Sequence, residues 1–190
     1  MSAVIEKHDH HHGPQKGILR WLFTTNHKDI GTLYLWFSFL MFLTGGAMAM
    51  GIRAELFEPG LQLMDPIRYN QLVTMHGLIM IIGGVMPAFV GLANWLIKMQ
   101  VGAPDMAVPR MNNLSFWLLP AAFTILLSTA FMEGGMPGFG WTFYAPLSTN
   151  YPNIAYFVFA IHIMGISSIM GSINVIVTIM NMRAPGMTLM

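Results

Sequence analysis

The sequence contains no cysteine, and only 9% of its 190 residues are charged. The first absence excludes disulfide bonds and cysteine-ligated metal sites within this chain. The second excludes an ordinary soluble domain, since such domains carry about a quarter charged residues. A net charge of +1 also provides no basic surface of the kind that binds nucleic acid. Because 55% of the residues are hydrophobic, the composition indicates a protein that lies largely in a membrane.

Four apolar stretches are long enough to cross a bilayer, because a hydrocarbon core of about 30 Å requires ~20 residues of helix. They cover residues 30–52, 72–97, 114–132 and 154–182. Helices are predicted rather than strands, since an open sheet edge would leave backbone polar groups unpaired in lipid. The predicted fold class is therefore an all-α transmembrane bundle of four spans over residues 30–190. A His-rich tail and an interfacial segment precede it, over residues 1–29.

The basic residues predict the orientation of this bundle, because Lys and Arg collect in cytoplasmic loops. If the N-terminus is cytoplasmic, most basic residues lie on the inner side, namely Lys7, Lys16, Arg20, Lys28, Lys98, Arg110 and Arg183. The outer side then holds only Arg53 and Arg68. The N-terminus and the loop that contains Asp105 are therefore predicted to be cytoplasmic.

The second span contains two polar side chains at a depth where such groups usually face the interior of a bundle. His76 lies near its outer end, and Asn94 follows eighteen residues later, which is five turns of α-helix. Both are expected on one face if Pro87 bends the helix little. A lone histidine at this depth either ligates a metal or hydrogen-bonds a neighbouring helix, and the residues alone leave both possibilities open for His76. His162 in the fourth span receives no ligand role.

Small and polar residues also line the other spans: Tyr34 in the first, Ser115 in the third, and Ser167, Ser168, Gly171, Ser172 and Asn174 in the fourth. A stripe of this kind is either a helix-packing face or the wall of a polar path. Outside the spans, simple solvation is the alternative to a functional role for Asp105. Interfacial anchoring is the corresponding alternative for Arg53 and Glu55.

Six segments that carry these residues resemble one family. They read TTNHKDIGTLYLWF, IRAEL, TMHGLIM, GAPDMAVPRMNNLSFWLLP, GWTFYAPL and GISSIMGSINVIVTI. In this order they resemble subunit I, the large catalytic subunit, of heme-copper cytochrome c oxidases, from about Arg20 to the C-terminus. The resemblance implies a subunit of twelve transmembrane helices, of which this sequence matches the N-terminal portion, the first third.

The resemblance implies an oxidoreductase that oxidises cytochrome c, reduces O2 to water and pumps protons. His76 would be an axial ligand of low-spin heme a, a role that suits a neutral imidazole nitrogen. Arg53 would contact the formyl group of that heme, and Trp141 would lie near the propionates of the second, high-spin heme. Glu55 and the backbone of Gly60 match a sodium or calcium site, and oxygen ligands suit such hard cations.

The same resemblance implies a proton-uptake path that opens at Asp105. Its water chain would be lined by Asn112, Asn94, Tyr34, Ser115, Ser167, Ser168 and Asn174. A carboxylate at the cytoplasmic face can collect protons, whereas amides and hydroxyls can order water without exchanging a proton at neutral pH. The orientation predicted from the basic residues puts Asp105 on the inner side independently of the family.

Several features of the family have no counterpart in this sequence, including the copper ligands, the ligand of the high-spin heme and the second axial ligand of heme a. The chain is therefore expected to be a truncated or split part of a longer subunit in a bacterial inner membrane. The expected partners are the remaining helices of subunit I, oxidase subunits II and III, cytochrome c and membrane lipid.

Two alternatives to this function stay open. The quinol-oxidising branch of the superfamily places Arg, Asp, His and Gln on its quinol face, and the corresponding positions here are Thr44, Met48, Arg68 and Gln71. Three of the four differ, which favours cytochrome c as the electron donor. If the chain is complete at 190 residues, the alternative is a non-catalytic four-helix membrane fragment, because the copper ligands are missing.

Overall fold

A computed structural model describes residues 17–188, so the His-rich part of the predicted tail, at His8, His10, His11 and His12, lies outside the described residues. All regular secondary structure within residues 17–188 is helical. Four helices are long and apolar enough to cross a membrane: His27–Glu55, Pro66–Val101, Pro109–Phe131 and Ile154–Asn181. The predicted all-α bundle of four spans is confirmed.

The first span is a single helix, α2 (His27–Glu55), and a six-residue helix, α1 (Ile18–Phe23), precedes it. The side chain of Asn26 accepts a hydrogen bond from the Lys28 N–H at 2.9 Å and so caps α2. Arg20 of α1 pairs with Asp29 in the first turn of α2 at 2.8 Å. This ion pair fixes α1 beside the start of the first span.

The second and third spans begin earlier than their apolar stretches predict. Helix α3 (Pro66–Leu78) begins at a proline, and the side chain of Asp65 accepts a hydrogen bond from the Arg68 N–H at 2.9 Å. Helix α5 (Pro109–Ser128) also begins at a proline, which is favourable in the first turn because its missing N–H would have no partner there. A capping side chain and a proline therefore set the start of α3, and a proline alone sets the start of α5, rather than hydropathy.

A π-helix interrupts the second span between α3 and α4 (Met86–Val101), over Ile79–Val85. A π-turn contains more residues than an α-turn, so the five-turn relationship predicted between His76 and Asn94 does not hold. His76 faces the carbonyl of Gly45 on α2, whereas Asn94 faces Asn112 on α5. The π-helix thus lets one span present two polar side chains to two different neighbours.

Two glycines bring the first and second spans into backbone contact. A Cβ built on Gly91 would lie 3.0 Å from the Gly31 carbonyl oxygen, and one built on Gly31 would lie 3.0 Å from the Gly91 carbonyl oxygen. Only small residues allow helices to approach this closely. Deeper in the bundle, Tyr34 and Phe116 meet edge-to-face with ring centroids 5.1 Å apart.

The fourth span, α6 (Ile154–Asn181), follows a long loop that packs on the helix ends opposite the Asp105 loop. Within this loop, the Gly140 N–H donates a hydrogen bond to the Thr74 hydroxyl at 2.9 Å, which ties the loop to α3. The Tyr151 hydroxyl donates to the Gly135 carbonyl, and burial raises the pKa of this tyrosine above its ordinary value. The loop is therefore held in place next to the turn of α3 that carries His76.

Candidate functional site

Asp105 lies in the loop between α4 and α5 and pairs with the first residue of α2. Its Oδ1 atom accepts hydrogen bonds from His27 Nδ1 at 3.1 Å and from the Met106 N–H at 2.7 Å. The side chain of Asp105 is 40% exposed, whereas that of His27 is only 5% exposed. The carboxylate is thus fixed on one side by protein and open to water on the other. Sequence reasoning missed His27, because nothing in the pattern relates two residues so far apart.

Two side chains of α6 hold the loop that follows Asp105. Thr178 Oγ1 accepts a hydrogen bond from the Ala107 N–H at 2.9 Å and donates to the Asn174 carbonyl at 2.7 Å. The side-chain amide of Asn174 makes two hydrogen bonds with the backbone of Val108. It accepts one from the Val108 N–H at 2.9 Å and donates one to the Val108 carbonyl at 3.3 Å. Asn174 therefore contacts loop backbone, and Thr178 is a second contact that the sequence did not indicate.

A buried pair of asparagines joins the second and third spans. Asn112 Nδ2 donates a hydrogen bond to Asn94 Oδ1 at 2.5 Å, and Asn94 Nδ2 donates to the Val90 carbonyl at 2.9 Å. Both residues are 1% exposed. Buried amides need such partners, because an unpaired polar group at this depth costs several kcal/mol, on the order of 2–7. The pair gives the interior of the bundle a polar centre.

Hydroxyl groups extend this polar centre towards α2 and α6. Ser115 Oγ donates to the Asn112 carbonyl at 2.7 Å, so the Tyr34 hydroxyl, 2.9 Å away, is the donor to Ser115 Oγ. Ser167 Oγ donates to the Ser115 carbonyl at 2.5 Å. The Ser115 hydroxyl and the backbone carbonyls of Asn112 and Ser115 therefore connect α2, α5 and α6 in one hydrogen-bonded series.

A cavity of about 360 Å³ adjoins this series and is lined by Tyr34, Ser167 and Ser168 together with apolar residues of α4 and α6. The eight residues predicted for the proton path thus lie in two places. Asp105 and Asn174 lie at the loop between α4 and α5. The other six lie in the interior series or line the recess beside it, namely Asn112, Asn94, Tyr34, Ser115, Ser167 and Ser168.

His76 has the hydrogen bond that an iron-binding imidazole requires. Its Nδ1–H donates to the Gly45 carbonyl at 2.9 Å, which leaves the lone pair on Nε2 for a metal. Gly45 also allows α2 to approach closely, since a Cβ there would lie 2.6 Å from Met80 Sδ. The tautomer and the ring position therefore fit a heme iron bound at Nε2.

Of the other two predicted heme contacts, Arg53 lies on α2, whose Gly45 carbonyl binds His76, and Trp141 lies beside Gly77, the residue after His76. Arg53 follows Gly45 and Ala49 at four-residue intervals along α2, so it lies on the same helix face, two turns further on. Its side chain is exposed and borders an open recess with Ala49 and Phe57. Trp141 packs against Gly77, because a Cβ built there would lie 3.5 Å from the tryptophan side chain. The indole thus adjoins the turn of α3 that carries His76, and the positive charge of Arg53 lies further along α2.

Glu55 closes the loop that follows α2. Its carboxylate is buried, with the residue 4% exposed, and accepts hydrogen bonds from the N–H groups of Gln62 at 2.9 Å, Leu63 at 2.8 Å and Met64 at 3.0 Å. Gly60 in the same loop has φ +105°, a conformation that favours glycine. Across residues 17–188, no three His, Asp or Glu side chains converge in the way a protein-only metal site needs.

Comparison with known proteins identifies the family. A family model described as "Cytochrome C and Quinol oxidase polypeptide I" matches residues 29–190. This chain belongs to that family. It is also 44% identical over 180 residues to a probable cytochrome c oxidase subunit 1-alpha of Streptomyces coelicolor, covering 93% of this chain and 31% of the relative. The cytochrome c oxidase subunit 1 of Corynebacterium efficiens is 41% identical over 204 residues, covering 100% of this chain and 35% of the relative.

The chain spans about a third of the length of the curated relatives it matches. Together with the four apolar helices, membership of this family makes it an integral membrane protein. The family uses heme and copper cofactors.

Proposed function

We propose that this chain is the N-terminal part of the catalytic subunit of a terminal respiratory oxidase that oxidises cytochrome c, reduces O2 to water and pumps protons. The observation that carries the proposal is the buried series of amides and hydroxyls that links Asn94, Asn112 and Ser115 to Tyr34 and Ser167, beside a helix that presents His76. Ionisable side chains at membrane depth usually mark a functional path, and His76 is one of them, whereas amides and hydroxyls there either join helices or line such a path. The names of the relatives support the same activity.

For the heme, we propose that His76 Nε2 is one axial ligand of low-spin heme a. The hydrogen bond from Nδ1–H to the Gly45 carbonyl keeps the ring in the tautomer that binds iron and makes Nε2 more basic. Arg53 would donate to the formyl group of the heme, and Trp141 would lie near the propionates of a second heme. When bound, the heme would supply the one-electron transfer of the reaction.

For proton uptake, we propose that Asp105 collects protons at the membrane surface. Its carboxylate is 40% exposed, and the bond from His27 Nδ1 holds it in one orientation. Water in the cavity of about 360 Å³ would continue the path, ordered by the Tyr34 and Ser167 hydroxyls. Amides such as Asn94 and Asn112 would orient water dipoles without holding a proton themselves.

We also propose that Glu55 and the carbonyl of Gly60 bind a sodium or calcium ion. Three backbone N–H groups already occupy the Glu55 carboxylate, which has about four acceptor positions. The Glu55 carboxylate therefore has about one acceptor position left for a cation. With a few backbone carbonyls it would form only part of a coordination shell, so the site is expected to bind the ion weakly. Removing calcium and sodium by chelation and dialysis should then lower the melting temperature of the oxidase but not of its Glu55→Gln variant.

For its location, we propose a bacterial inner membrane with the N-terminus and Asp105 on the cytoplasmic side. The positive-inside distribution of Lys and Arg supports this orientation, and the similar proteins are bacterial. Helix α1, held by the Arg20–Asp29 pair, would lie in the interface of the inner leaflet. The partners would be the remaining helices of subunit I, oxidase subunits II and III, and cytochrome c.

The electron donor distinguishes this function from its alternative, a quinol oxidase, which the family description also includes. Thr44, Met48 and Arg68 differ from the quinol-face residues of that branch. The oxidase purified from its native membrane should therefore consume O2 with reduced cytochrome c and not with a ubiquinol or menaquinol. Rapid O2 consumption with quinol alone would favour the alternative, and no O2 consumption with either donor would contradict an oxidase.

A further inference from the structure

The loop between the third and fourth spans contacts one side of α3 at three successive positions. The Gln71 side chain donates a hydrogen bond to a carbonyl of this loop at 2.9 Å. Three residues later, Thr74 Oγ1 accepts a hydrogen bond from the Gly140 N–H at 2.9 Å. After three more residues, a Cβ built on Gly77 would lie 3.5 Å from the Trp141 side chain. Residues three positions apart are neighbours on a helix surface, so the loop follows α3 along its length.

Thr74 is the contact that lies immediately before Trp141. Its hydroxyl donates to the Asn70 carbonyl at 2.8 Å, which leaves its oxygen to accept from the Gly140 N–H. Thr74 is 2% exposed, so water has little access to this bond. Gly140 has φ +82°, a conformation that favours glycine, and the chain turns there before it reaches Trp141. The direction in which the chain leaves this turn therefore depends on the bond to Thr74.

Trp141 depends on its backbone for its position. Its Cβ, Cγ and Cδ1 atoms lie 3.5–3.6 Å from a Cβ built on Gly77, which is an ordinary packing distance, and 52% of the residue is exposed. A glycine has no side chain that could hold an indole in place. Because Gly77 follows His76, the turn at Gly140 sets the place of the indole next to the proposed heme ligand.

We propose that Thr74 is a positioning residue for Trp141, because its hydroxyl holds the Gly140 N–H and so fixes the indole beside the turn that carries His76. The inference rests on the proposed function, in which Trp141 lies near the propionates of the second heme. Hydrogen bonding around a heme is one means by which a protein sets its potential. Thr74 would thus act on that potential through the loop rather than by contact.

Hydrogen exchange at the Gly140 amide tests the structural step in the oxidase purified from its native membrane. This amide should exchange about tenfold faster in Thr74→Val than in the parent, and at the parental rate in Thr74→Ser. Thr149→Val is the control, because Thr149 is exposed and its hydroxyl bonds to Pro146 within the same loop.

Two results of this exchange measurement would overturn the proposal. One is a Gly140 amide that exchanges in the parent as fast as an unprotected amide, and the other is equal exchange in Thr74→Val and the parent. If Thr74→Val fails to assemble, Thr74→Ala removes the hydroxyl without placing a methyl group against the Gly140 N–H.

The midpoint potential of the high-spin heme tests the functional step. Trp141→Phe removes the indole N–H and should lower this potential, because a propionate without that donor leaves more negative charge near the iron. Thr74→Val should lower it by a smaller amount, and Thr74→Ser should leave it at the parental value. The double variant should match Trp141→Phe alone, since both changes act through one indole.

The potentials also separate this inference from the proposed function. A shift in Trp141→Phe with none in Thr74→Val, or shifts that simply add in the double variant, would overturn the positioning role and leave the place of Trp141 intact. No shift in Trp141→Phe would contradict the proposed place of Trp141, and the inference would fail with it.

Discussion

His27 Nδ1 donates a hydrogen bond to Asp105 Oδ1 over 3.1 Å, although 78 residues separate the two in sequence. The contact joins the first turn of α2 to the loop between the second and third spans. Because His27 is buried and Asp105 is half-exposed, one side of the carboxylate is fixed and the other can exchange protons with water. This is the arrangement expected at the mouth of a proton path.

Replacing Asp105 by Asn tests that role directly. The amide is nearly isosteric with the carboxylate but cannot take up and release a proton at neutral pH. Asp105→Asn should slow turnover by on the order of 100-fold, should abolish or uncouple proton pumping, and should leave the heme spectrum unchanged. Stopped-flow proton uptake and O2 consumption would measure the effect. Glu58→Gln, at an exposed loop carboxylate on the opposite side, is the control, and normal pumping by Asp105→Asn would rule out this residue as the mouth.

Thr178 should matter because it positions the loop behind Asp105. Thr178→Val keeps the shape of the side chain but removes the acceptor for the Ala107 N–H and the donor to the Asn174 carbonyl. The change should cost about 1–3 kcal/mol of stability and slow proton uptake without affecting the hemes. Thr124→Val is the matched control, since Thr124 is exposed and bonds only to Pro120 in its own helix. Uptake at the parental rate in Thr178→Val would contradict a positioning role.

Gly91 should be irreplaceable in the crossing of the first two spans. A Cβ at this position meets the backbone carbonyl of Gly31 at 3.0 Å and the Leu35 side chain at 2.9 Å, and a backbone atom cannot rotate away. Gly91→Ala should therefore destabilise the protein by about 1–3 kcal/mol, measured as thermal unfolding in detergent. Gly46→Ala is the control, because a Cβ on Gly46 meets nothing within 4 Å in the described chain. Equal melting temperatures of the two variants would contradict the close crossing.

The four spans were predictable from the sequence, because hydropathy and length decide which helices cross a membrane. Their starts at Pro66 and Pro109 were not, since caps and prolines extend a helix beyond its apolar stretch. The π-helix over Ile79–Val85 also has no sequence signal. It changes which neighbours His76 and Asn94 face, although both residues were selected correctly as polar groups of the second span.

The candidate site was predictable as a set of residues, but not as a set of contacts. Motifs indicated Asp105 and Asn112, whereas the contacts of Asp105 with His27 and of Ala107 with Thr178 depend on packing between distant segments. Glu55 illustrates the same limit. A glutamate at this position suited a cation site. In the fold, however, three backbone N–H groups donate to its carboxylate, and no local sequence pattern predicts these bonds. The roles of all these residues in catalysis stay predictions.

The absorption spectrum of a His76→Ala oxidase tests the central claim most directly. With Nε2 removed, the low-spin heme a band should disappear from the reduced-minus-oxidised spectrum of the purified protein, because the iron loses an axial ligand on this chain. His162→Gln, at another intramembrane histidine, should keep the band and show that the loss is not a general effect of altering a span. An unchanged low-spin spectrum in a correctly assembled His76→Ala protein would contradict the account.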